Sequence, residues 1–177
     1  MKQQSLLEQI LVQEDKTWLN LARASASAAN DLFFFNTFTP AIFSEMQIQV
    51  SRWGIPPTTA LLAFDLWNDI RTDSEFASYF DPVTKHELIM EGSLGSFFGV
   101  QLITDAYRHE TLRVLADGET YMLGAPQTLG GITIRSELKT RNIDMYAQGK
   151  PERGWFMQEA LGMSVTNSRA IVRGQRV

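Results

Sequence analysis

Apolar residues recur at a helical period near the N-terminus and at a strand period later in the chain. Over residues 5 to about 29, Leu7, Ile10, Leu11, Trp18, Leu21 and Ala22 fall three and four apart and share one face. Glu8, Gln9, Gln13, Asp15 and Lys16 lie opposite. Ser5 and Glu8 read as a capping box, which satisfies orphan amides at a helix start. Two readings fit this helix: a helix packed on its own domain, or an arm lying on a neighbouring subunit. Residues 22–29 are Ala, Ser and one Arg, and fit either a tightly packed or a fraying helix end; Asn30 and Asp31 mark a break. Phe33, Phe34, Phe35 and Phe38 then form a dense aromatic cluster. Burying one Phe is worth about 1.5–3 kcal/mol, so the four need a cover, either the domain's own core or a subunit contact.

Residues 39–53 predict a second helix. Thr39 is an N-cap type, Pro40 sits where its missing N–H costs nothing, and Gly54 with Pro56 and Pro57 stops it. Ile42, Phe43, Met46, Val50 and Trp53 make its apolar stripe. Residues 58–64 read as a short buried strand, followed by a helix capped by Asp65, then a loop with a helical turn. Strands follow at 88–90, 100–104, 112–116, 119–123 and 132–138, and Asp117-Gly118 predicts a tight hairpin between the third and fourth of these. Ile132, Ile134 and Leu138 share a face of the last. Residues 148–154 read as an exposed turn, 155–161 as a short amphipathic helix and 163–172 as the closing strand. Helices first and mostly antiparallel strands afterwards make an α+β fold.

Composition narrows the function. At 44% hydrophobic and 11% aromatic, the 177 residues can bury a real core. There is no cysteine, hence no disulfide framework or thiolate metal site. No apolar run approaches the roughly 18 residues of a membrane helix, and the N-terminus lacks the apolar core of a signal peptide. The net charge of −4 argues against a free-standing nucleic-acid binder. Arg169, Arg173 and Arg176 make the last nine residues basic, and they read either as solvated or ion-paired, or as facing a genome or an acidic neighbour.

Candidate chemistry is sparse. The glycine run Gly92, Gly95, Gly99 is neither a dinucleotide fingerprint nor a P-loop. His86 and His109 have no metal-ligand spacing, and Ser93 and Ser96 make no nucleophile elbow. The expectation is no catalytic residue, no metal and no cofactor, and a function of assembly. The assembly-interface candidates are Trp18, Phe33, Phe34, Phe35, Phe38, Arg169, Arg173 and Arg176.

From residue 38 to 177 the pattern resembles the C-terminal part of phage major capsid proteins with the HK97 fold. The resemblance rests on the capped helix and proline break, then TTALLAFDLWNDI, FDPVTKHELIMEGSLGSFFGVQLITDAY, VLADGETYMLGAP with TLGGITIRSEL, and GWFMQEALGMSVTNSRAIVRG. It implies an HK97-like capsid fold with an N-terminal helical arm, one long spine helix at 39–53 and mostly antiparallel sheets. Residues 1–38 would be the arm with a reduced E-loop, and 39–177 the body with interleaved peripheral and axial regions. It further implies a major capsid protein of the virion, assembled in the host cytoplasm. Its partners would be copies of itself in pentamers or hexamers, with other virion proteins, DNA at most indirectly and no membrane. The rival readings are a decoration or connector protein, and a small enzyme with an unrecognised site.

Overall fold

The first helix is longer than the pattern predicts. A computed structural model describes residues 2–28, 32–80, 95–144 and 153–177. Helix α1 runs over Lys2–Ala28, so Ser5 and Glu8 lie inside it and the predicted capping box does not mark its start. Its buried positions are Val12, Leu19, Ala22 and Ala26. Leu11 is exposed, because one residue along a helix rotates the side chain by about 100°. The Ala/Ser segment stays helical. Its small side chains let the helix lie close on the sheet, where Ala22 and Ala26 meet Tyr121, Leu123 and Ile171.

Strand β1 (Leu32–Phe35) leads to α2 (Pro40–Ser51). Thr39 caps α2 as expected, its hydroxyl accepting from the Ile42 N–H at 3.4 Å, and Pro40 opens the helix. Gly54 closes it at φ +73°, a left-handed conformation that glycine adopts without strain. With 12 residues α2 is not a long spine; among the described residues the long helix is α1, with 27. Phe43, Met46 and Val50 are buried, whereas Trp53 lies beyond the helix and is exposed.

The remaining elements are β2 (Pro57–Leu62), α3 (Phe64–Thr72), α4 (Ser74–Tyr79), β3 (Ser96–Phe97), β4 (Val100–Thr104), β5 (Glu119–Gly124), α5 (Pro126–Leu129), β6 (Gly130–Asp144), β7 (Arg153–Val165) and β8 (Ile171–Arg176). Asp65 does not cap α3: Ala63 holds that position, and the Asp65 carboxylate accepts the Gly118 N–H at 2.9 Å. The strand expected at 88–90, together with Gly92 and His86, lies outside the described residues.

Six strands form one sheet in the order β1-β8-β5-β2-β4-β3, and β6 pairs with β7 alone. Two pairings, β1 with β8 and β2 with β4, are parallel, and the other four are antiparallel. Alternation along β5 and β8 divides the core. Tyr121, Leu123 and Ile171 face α1, while Met122 and Val172 face α2, α3 and α4 with Ala60 and Leu62. The second layer is rich in aromatic contacts: Phe38 packs on Phe35, Phe43 and Phe76 with ring centroids 5.5, 6.4 and 5.7 Å away. The α+β reading holds.

Two predicted elements are replaced. Asp117-Gly118 turns the chain, with Gly118 at φ +74°, but residues 113–116 form no strand. The Val114 and Leu115 N–H groups donate to the Asp105 carboxylate at 2.9 and 3.0 Å, and the Ala116 N–H donates to Glu119 at 3.1 Å. With those donors spent on side chains, β5 pairs with β2 and β8 instead. Residues 155–161, predicted helical, lie within β7. Their local helix propensity is overridden by the ladder to β6. The closing strand is β8, which begins after a 3-10 turn at Ser168–Ala170.

Candidate functional site

The C-terminal arginines divide by partner. Arg173 Nε lies 3.1 Å from the Glu119 carboxylate, an ion-pair contact without hydrogen-bond geometry. Arg176 pairs with Asp65 at 3.1 Å and with Asp69, tying β8 to α3. Arg169 is exposed and lies over the Trp53 ring, 4.2 Å from its centroid. Two of the three are therefore ion-paired within the chain, one of the alternatives the sequence left open.

Glu119 is the most buried charge of the described residues, with no exposed surface. Arg23 of α1 donates to it twice, at 2.8 and 2.6 Å, and Tyr121 donates its hydroxyl proton at 2.6 Å. Burial pushes the carboxyl upward. The hydrogen bonds from Arg23, Tyr121 and the Ala116 N–H outweigh it and hold the group at about 2. Tyr121 is raised by burial and by the adjacent carboxylate. Arg23 of α1 and Tyr121 of β5 both donate to this one carboxylate, so the cluster locks α1 to β5. His109 caps the 3-10 turn at Glu110–Leu112 through its ring Nδ1. Among the described residues, no group of three or more His, Asp or Glu side chains is placed to hold a metal ion.

The aromatic candidates also divide. Phe35 and Phe38 are buried in the chain's own core, and Phe33 packs partly against it. Phe34 points away and is 58% exposed, consistent with alternation along β1. Trp18 is half-buried at the margin of the α1 layer and lines an apolar cleft of about 190 Å³ with Leu21, Leu129, Ile132 and Met163.

One uncovered apolar surface was missed as an interface by sequence reasoning. It lies on the two-stranded ribbon of β6 and β7. Ile132 pairs with Met163 and Ile134 with Leu161, which places four apolar side chains on one face. Ile132 is 61% and Ile134 63% exposed, and Leu138, Trp155 and Phe156 are exposed farther along. The sequence signal was present, as alternating apolar residues after Gly130-Gly131. It did not reveal that α1 covers this face only in part, leaving Ile132 and Ile134 exposed.

No protein-family model matches the chain, and no curated protein matches it. Among solved structures it is similar to a chain of Mycobacterium phage Che8, with a TM-score of 0.69 and 9% identity, over 98% of this chain and 61% of that one. It is also similar to a virus-like particle from Pyrococcus furiosus, with a TM-score of 0.52 and 9% identity, over 90% of this chain and 63% of that one. The chain spans less than two thirds of the length of either. At this identity the likeness is one of fold: the chain shares the fold of these two structures, and the α+β class is the one expected from its sequence.

Proposed function

We propose that the chain is a shell subunit, a major capsid protein of HK97 type that assembles with copies of itself into an icosahedral head around a genome. The observation that carries this reading is the β6–β7 ribbon. A two-stranded ribbon is at best marginally stable alone in water, and this one exposes Ile132, Ile134, Leu138, Trp155 and Phe156. Exposed apolar side chains gathered on one element mark an interaction site, and repeated subunit contacts in a closed shell would bury them. The shared fold with a particle-forming protein supports the same reading.

Within this proposal the arm role of residues 1–38 contracts to the first turns of α1, with Leu7, Ile10 and Leu11, because Leu19, Ala22, Ala26 and β1 serve the chain's own core. Of the interface candidates, Trp18, Phe34 and Arg169 keep surface to offer, and the ribbon joins them. The subunit belongs to the virion, in capsomers of five or six copies. Sedimentation velocity and negative-stain microscopy of the purified protein test the proposal. The expected result is concentration-dependent assembly into large closed particles. A monomer at every concentration and salt tried would end it.

A further inference from the structure

Between α1 and the sheet lies an apolar cleft of about 320 Å³, lined by Trp18 and Leu19 of α1 and by Leu61, Ile103 and Leu115. Ile103 is 45% exposed there. Two carboxylates and one guanidinium also line it. Asp15 pairs with Arg108 at 2.7 Å. Asp105 is buried, only 6% exposed, and its Oδ2 accepts the Val114 and Leu115 N–H groups at 2.9 and 3.0 Å. Among the described residues its Oδ1 is buried with no hydrogen-bond donor, and no cation stands within ion-pair distance of the group. The cleft therefore keeps one negative charge that only backbone amides meet, and a charge so placed favours a cation at the mouth.

The complementary character is gathered on the half of the β6–β7 ribbon farther from Gly130 and Val165. There Arg141 pairs with Phe156, and Lys139 with Gln158. Paired residues share a face, and so do residues two apart on a strand, so Phe156, Arg141 and Lys139 stand together on one side. All three are exposed, Phe156 by 48%. Among the described residues neither cation has a carboxylate within ion-pair distance.

We propose that this ribbon face of one copy seats in the cleft between α1 and β4 of a second copy, with Phe156 against the apolar lining and Arg141 toward Asp105. It rests on the shell reading above and supplies the surface that receives the ribbon. An exposed aromatic beside a guanidinium is the composition of an interface anchor. Apolar walls around one uncompensated carboxylate are its complement in shape and charge. The two surfaces differ, so the contact is heterologous: each copy gives a ribbon and receives one, which closes into a ring when the rotation allows. Nucleic acid is the weaker occupant of the ribbon face, since two cations neutralise few phosphates and the chain carries a net charge of −4.

The chain has no cysteine, so introduced thiols report the contact directly. Full-length Phe156→Cys and Ile103→Cys proteins are mixed where the wild type associates, treated with a short bismaleimide and separated by denaturing electrophoresis. The expected product is a linked dimer that forms only when both variants are present. A second measurement is sedimentation velocity on Arg141→Gln and Asp105→Asn, the latter keeping an oxygen for the two amides. Each is expected to weaken association by about tenfold, and the two combined to lose little more than either alone. Circular dichroism checks that all variants fold. Links between two Phe156→Cys copies, or within a single chain carrying both substitutions, overturn the inference, because the ribbon then meets another ribbon or its own cleft. Unchanged association or fully additive losses overturn it too, and a single-stranded oligonucleotide bound by the wild type but not by Arg141→Gln would then assign the ribbon face to nucleic acid. The shell reading survives each of these results. A wild-type chain that never associates removes the inference and the shell reading together.

Discussion

A carboxylate with no exposed surface stays ionised only because its surroundings are built for it. Around Glu119 the builders are Arg23, Arg173, Tyr121 and one backbone amide. Removing one member of such a set strands the rest, which costs about 3–5 kcal/mol. Glu119→Ala is therefore expected to lower unfolding stability by that amount in urea titrations. The pH dependence has a defined sign. The folded-state value of about 2 lies below the ordinary 4.5. The contribution is full above 4.5 and is lost as the pH falls from there through about 2. Stability of the wild type should drop across that window, and Glu119→Gln should flatten that part of the drop.

The ribbon shows how an element's role depends on what lies beside it. Strands β6 and β7 satisfy each other's backbone, yet Ile132 and Ile134 face solvent in the single chain. Replacing both by Thr keeps the β-branched shape that suits a strand and removes apolar surface. Surface changes of this kind shift folding by about 0.5 kcal/mol or less, so the melting of the monomer should hardly move. Association should weaken on the order of thirty- to several-hundredfold, since each of the two buried aliphatics contributes about 1–2 kcal/mol. Sedimentation equilibrium measures this, and unchanged association would remove the ribbon from the interface.

At the scale of the whole molecule, α1 is one of the two layers that cover the sheet. Its Leu19, Ala22 and Ala26 close the face formed by Tyr121, Leu123 and Ile171, and its Arg23 neutralises Glu119. Deleting residues 1–28 uncovers an apolar face and strands a buried charge in one step. The shortened chain is expected to lose its cooperative thermal transition in circular dichroism. A folded, cooperative product would mean that α1 is dispensable to the body and acts as an arm along its whole length.

The sequence by itself determined the elements whose signals are local. Thr39, Pro40 and Gly54 set both ends of α2, Asp117-Gly118 set a turn, and apolar periodicity set α1, β2 and β4. The α+β class followed from their order. Tertiary structure decided what depends on partners distant in the chain. Residues 113–116 left the sheet because Asp105 and Glu119 took their amides, and 155–161 became strand because β6 supplied a ladder. The fate of the aromatic cluster was decided the same way: parallel pairing of β1 with β8 turned Phe35 inward and Phe34 outward. Of the interface candidates, the sequence named the residues but not their partners. Arg173 and Arg176 read as solvated, ion-paired or facing a partner, and Glu119, Asp65 and Asp69 beside them decide for ion pairs within the chain. Local propensity acts over a few residues, whereas burial and ion pairing are settled between positions that can lie more than a hundred residues apart, and only the folded chain brings those together.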